Sequence, residues 1–216
     1  MAKSKMLLPR NQPRRALTKK QALRHLIHAA VRMISSGEDP FATHILIQSA
    51  DKLLIDLAKR SGRSLSFRWD DPQVIKPEFR DALIEVHRET FNFFKHADLD
   101  HDKTLHVGDI AMSNLLQLGA CVVNYHGLFA EMTDHMRLAW SFSQLVFPNG
   151  FVMEAERSKF DEAARSFANE PLSEYLLRFW NDPRFRQIFP KLAEERVADL
   201  QDMLPFYNAR FSEFSK

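Results

Sequence analysis

Residues 18–62 read TKKQALRHLIHAAVRMISSGEDPFATHILIQSADKLLIDLAKRSG, and the fold turns on this stretch. After Thr18, the apolar residues Leu23, Leu26, Ile27, Ala30, Val31, Met33 and Ile34 recur three and four apart, which is one stripe of a helix. The Thr18 hydroxyl suits the free amides of a first helical turn, and Gly37 suits the left-handed backbone that ends one. The spacing predicts a helix to about Ser36. A second helix follows Asp39-Pro40 and runs to about Arg60, before Ser61-Gly62, with Leu46, Ala50, Leu53, Leu54 and Leu57 as its buried face.

The same reading extends outward. Residues 64–76 form a connection, and Pro77 suits the first turn of a third helix running to about His96. Asp109 caps a fourth through Leu115, Leu118, Val122 and Tyr125, and Thr133 starts a fifth that Pro148-Asn149-Gly150 ends. Beyond Phe151 the periodicity weakens. Phe160, Ala163, Ala164 and Phe167 imply one helix and Leu192, Val197, Leu200 and Leu204 another, while Pro171, Pro183, Pro190 and Pro205 cut this half into short pieces. The expected fold is all-α, an antiparallel helical bundle with short C-terminal helices docked on it.

Composition agrees. At 216 residues, 45% hydrophobic and 27% charged, the chain has apolar material for a real core, which excludes wholesale disorder. Eighteen Phe against six Gly argue against an all-β chain. The lone Cys121 sits in an apolar run, so no internal disulfide forms and a small core side chain is expected. A reducing compartment, the cytoplasm, is the simplest home. No apolar run approaches the roughly 18 residues that span a bilayer, and residues 1–8 lack the longer apolar region of a secretory signal.

Charge is distributed unevenly. Nine Lys or Arg and no acidic residue lie between Met1 and Gly37, leaving 21 basic against 28 acidic residues beyond. The organisation is therefore a flexible basic arm, residues 1–17, on a single helical domain, residues 18–216. In the arm, Arg10, Arg14 and Arg15 stand among Pro9 and Pro13. Lys20, Arg24, His28 and Arg32 then continue as an i to i+4 stripe opposite the apolar face of the first helix. This stripe suits nucleic-acid phosphates or an acidic protein surface; no aromatic residues interleave it, so base stacking is not implied.

Three constellations are candidates for chemistry. Arg88, Asn92 and His96 are four apart and line one helix face, with His44 a candidate to approach them. His96 would transfer a proton, Arg88 would steady an anion, and Asn92 would orient a substrate. Asp98, Asp100, Asp102, Thr104, His106 and Asp109 fall at positions 1, 3, 5, 7, 9 and 12 of a calcium loop. Lys103 replaces the glycine of position 6, however, and Asp109 is shorter than the usual Glu, so a capped interhelical loop is the expectation. His25 and His28, and Glu131 with His135, match no metal-ligand spacing and read as surface groups; no cofactor is expected.

Asn92-Phe93-Phe94-Lys95-His96-Ala97-Asp98, followed by Asp100, resembles the signature of an uncharacterised bacterial family. The second helix resembles it too, through His44, Leu46, Ala50, Leu54, Asp56 and Leu57. The resemblance implies a bacterial origin and a helical fold. The chain is more distantly similar to HEPN domains, helical bundles that often dimerise and in many cases cleave RNA. Their motif places an Arg four to six residues before a His, whereas seven residues separate Arg88 from His96 here. The favoured reading is a non-catalytic helical binding module, with a homodimer among its implied assemblies. A metal-independent HEPN-like ribonuclease and a metal-binding protein using the 98–109 loop are the alternatives.

Overall fold

The computed structural model describes residues 16–68, 88–95, 102, 104–147, 158, 161, 165, 174, 177 and 181–207. Among these the chain is helical, with no strand, and six helices pack on one another. They are α1 (Lys19–Ser35), α2 (Pro40–Ser61), α3 (Ile110–Phe129), α4 (Asp134–Val146), α5 (Pro183–Ile188) and α6 (Leu192–Tyr207). Residues 88–95 are also helical, within the third helix expected from the sequence. The expected loop at 69–76 and the 148–150 stop lie outside the described residues, as do residues 1–15 of the basic arm; of the expected 160–167 helix only Asp161 and Arg165 are described, and both are helical.

Local chemistry sets the helix ends. The Thr18 hydroxyl accepts from the Gln21 amide, and the Gln21 side chain takes the Thr18 amide in return, closing a capping box at α1. Asp39 caps α2 by accepting from the amides of Phe41 and Ala42, with Pro40 in the first turn. Gly62, at φ 66°, ends α2 in the left-handed region. Asp109 and Thr133 cap α3 and α4 through the amides of Met112 and Met136.

α1 with α2, and α3 with α4, form two hairpins, each closed by a short loop. α2 lies beside α3 in the same direction, since His44 meets Asn114, Gln48 meets Gln117, and Arg63, just past α2, reaches the carbonyl of Leu128. The core combines Leu23, Ile27 and Val31 with Ile47, Leu54, Leu115, Leu118, Val122, Met136, Leu138 and Phe142. α3 is the central helix, and its polar residues are buried with partners. Asn114 accepts from His44 and donates to the carbonyl of Pro40, while Asn124 pairs with both backbone groups of Phe67 and fixes the chain after α2.

Two faces are turned from where hydropathy sets them. On α2 the deepest residues are Thr43, His44, Ile47, Ala50, Leu54 and Ala58, whereas Leu46, Leu53 and Leu57 are only partly buried. The face rotates because α2 serves both α1 and α3. The larger departure is α6. Ala193, Val197 and Leu200, at i, i+4 and i+7, face solvent, with Val197 53% and Leu200 56% exposed. Glu195, Asp199 and Asp202, also at i, i+4 and i+7, face the bundle instead. This helix is inside out.

Candidate functional site

The inward face of α6 meets four side chains of α1 and one of α4. Arg24, His25, His28 and Arg32 fall within two turns of α1, so they share the flank against α6. Asp199 is their common partner: its Oδ2 accepts from His28 Nδ1 at 2.8 Å and from Arg32 Nη1 at 3.0 Å. Its Oδ1 lies 3.4 Å from His25 Nδ1 and 3.8 Å from Arg24 Nε. Asp202 accepts from Arg24 Nη2 at 3.1 Å.

Behind this layer the His28 and His135 rings stack, with centroids 4.4 Å apart and planes inclined by 14°. Both are sealed from water, His28 at 1% exposure and His135 at 0%. His28 Nδ1 donates to Asp199, so Nε2 is the acceptor for the Thr133 hydroxyl at 2.8 Å. His135 Nδ1 donates to Glu195 Oε2 at 2.7 Å. Each imidazole is thus held at Nδ1 by a carboxylate one turn from the other on α6.

Backbone groups complete the arrangement. Glu195 accepts from the amides of Asp134 and His135 at 2.8 and 3.1 Å, which places its charge on the positive end of α4. Asp134 in turn accepts from the Lys191 amide, just before α6, at 2.7 Å and from Arg137 at 3.0 Å. The starts of α4 and α6 cap each other.

The electrostatics follow from burial and these bonds. Burial holds His28 below its ordinary pKa, as does His135, and the Asp199 hydrogen bond only partly opposes them, so the ring is neutral at pH 7. Burial alone would push Asp199 up, but the His28 and Arg32 bonds and charges outweigh it and bring Asp199 down to about 2. Glu195 is likewise lowered, its burial outweighed by His135 and the two α4 amides.

Of the candidates drawn from the sequence, Arg24 and Arg32 of the basic stripe lie in this site, as partners of α6. The histidines expected on the surface are buried, because α6 brings carboxylates from 171 and 60 residues away in sequence. The basic stripe of α1 is no solvated face. Arg24 and Arg32 are covered and answered by α6, and Lys20 pairs with Glu131. Arg88 and Asn92 are exposed, whereas His44 is buried against Asn114; His96 lies outside the described residues. In the 98–109 loop, Asp102 is exposed and Asp109 is spent as the α3 cap, while Asp98 and Asp100 lie outside the described residues. Arg10, Arg14 and Arg15 also lie outside them. Cys121 is buried among core residues, as expected. No helix among the described residues is long and apolar enough to cross a membrane.

One signal could have found the cluster: acids at i, i+4 and i+7 on α6 match bases spaced three, four and eight apart on α1. Comparison with known proteins adds no assignment, since no family model, no curated protein and no solved structure matches the chain.

Proposed function

We propose that this chain is a non-catalytic helical binding module whose docking surface is the outer face of α6. The observation that carries this reading is the reversed polarity at the middle of that helix, with Val197 and Leu200 more than half exposed while Asp199 is buried and Glu195 part-buried. Ile188, on α5, is exposed as well. A soluble chain that leaves such a stripe on a well-anchored helix has a use for it, and each valine or leucine fully covered contributes about 1.5–3 kcal/mol.

The occupant is a second copy of the chain. A stripe on a single helix meets its own image across a two-fold axis, so one patch serves both sides of the contact. The basic flank of α1 is a weaker docking surface, because α6 and Glu131 already answer Arg24, Arg32 and Lys20. Nuclease chemistry would need Arg88 and an imidazole on one cleft, and the buried pairing of His44 with Asn114 offers no support for it.

Sedimentation across a concentration series tests the proposal. The wild type should be dimeric and a Val197→Asp/Leu200→Asp double variant monomeric, with an unchanged circular dichroism spectrum. A wild type that stays monomeric at the highest concentration, or a double variant that still dimerises, overturns it.

A further inference from the structure

We propose that His28, His135 and Glu195 form a site for one divalent transition-metal ion, zinc or a metal of similar preference, where α1, α4 and α6 meet. One nitrogen from each ring and one Glu195 oxygen lie within 4.8 Å of one another. At bond lengths of about 2.0–2.2 Å, tetrahedral ligands sit roughly 3.3 Å apart, so the set closes when one ring turns out of the stack and both lone pairs reach the ion. Two imidazoles and one carboxylate suit zinc, cobalt or nickel; calcium and magnesium prefer all-oxygen shells.

Two further features of the surroundings fit a metal. Asp199 already holds Nδ1 of His28, the outer-shell carboxylate–histidine arrangement that fixes the orientation of a ligating ring. The Glu195–His135 hydrogen bond, at 2.7 Å, contains the proton that an incoming cation would displace. Binding is therefore an exchange: M²⁺ enters, the His135 Nδ1 proton moves to Nε2 of the same ring, which keeps its one N–H, and the ion takes its place between Nδ1 and the carboxylate. No redox change or further reactant is involved.

A bound ion would tie α6 to α1 and α4 with coordinate bonds, so metal and helix docking are linked. The site is independent of the outer face of α6 and should persist in the monomeric Val197→Asp/Leu200→Asp variant. Failure of the dimer reading leaves this one standing, and the reverse also holds.

The full chain, freed of metal by chelation, is titrated with zinc chloride by calorimetry. One ion per chain should bind, and the melting temperature should rise by about 5 °C or more in excess zinc. Cobalt chloride should give a visible absorption band of four- or five-coordinate geometry. Glu195→Gln keeps an oxygen for the α4 amides and His135, and should weaken zinc roughly 100-fold while remaining folded. His126→Ala, which removes an exposed histidine, should bind zinc like the wild type. Absence of zinc binding to the wild type overturns the proposal. So does unchanged affinity in a Glu195→Gln chain that is folded by circular dichroism, since the zinc would then be on surface histidines. Should Glu195→Gln not fold, His135→Gln replaces it under the same criteria.

Discussion

Asp199 is the residue on which most of the polar centre depends, because one carboxylate answers His28, Arg32, His25 and Arg24. Asp199→Asn keeps the shape but removes the charge that faces the part-buried guanidinium groups of Arg32 and Arg24. Chemical denaturation should show a loss of roughly 2–4 kcal/mol. The pH dependence has a definite sign. His28 has its folded pKa below the ordinary 6.5, so the unfolded chain takes up the proton first. Its contribution is present above pH 6.5 and is lost as pH falls through the folded value. Asp199, at about 2 against an ordinary 3.8, and Glu195, lowered from 4.5, add a second loss at lower pH, complete below pH 2. A melting temperature followed from pH 7 to pH 2 should therefore fall in two stages, and His28→Gln should remove the upper one. Cys121 supplies an independent check. Burial raises its thiol well above the ordinary range, with Asp51 adding to the effect. An aromatic disulfide reagent should leave the native thiol unmodified and titrate one thiol per chain after denaturation.

Ala130 ends α3 with φ 51°, the one non-glycine residue in the left-handed region among those described. Glycine bears no steric cost there, so Ala130→Gly should raise stability by about 0.5–1 kcal/mol in urea denaturation. Asn124→Ala is expected to act in the opposite direction. It strips both backbone groups of Phe67 of their partner and should cost roughly 1–3 kcal/mol by the same measurement. These helix ends were largely legible in the sequence, because caps act within three or four residues: Thr18, Asp39, Asp109 and Thr133 all cap helices where expected. Burial of the histidines was not legible. His28 has its partners at Thr133 and Asp199, and nothing near His28 in sequence distinguishes it from a surface residue. α6 misleads more directly, since its apolar spacing identifies a helix correctly, yet of the residues that set the spacing Leu192 packs on the core while Val197 and Leu200 point outward.

Across the whole molecule, the hairpins and α6 are held by different forces. α1–α4 share the apolar core, while α6 adds Leu192 at its edge and docks chiefly through Glu195, Asp199 and Asp202. A helix docked mainly by titrating groups should detach before the core opens. Hydrogen exchange at about pH 4 should show amides 196–203 losing protection while those of α3 keep theirs, whereas at pH 7 the difference should be small. The mutual capping of α4 and α6 has a consequence for biosynthesis. α1 and α4 leave the ribosome well before residue 195. Until then Arg24, Arg32 and the amides at the start of α4 lack the carboxylates that answer them in the finished fold. The nascent α1–α4 bundle can gather its apolar core, but its polar centre is complete only once α6 has been made and carries the negative charge in.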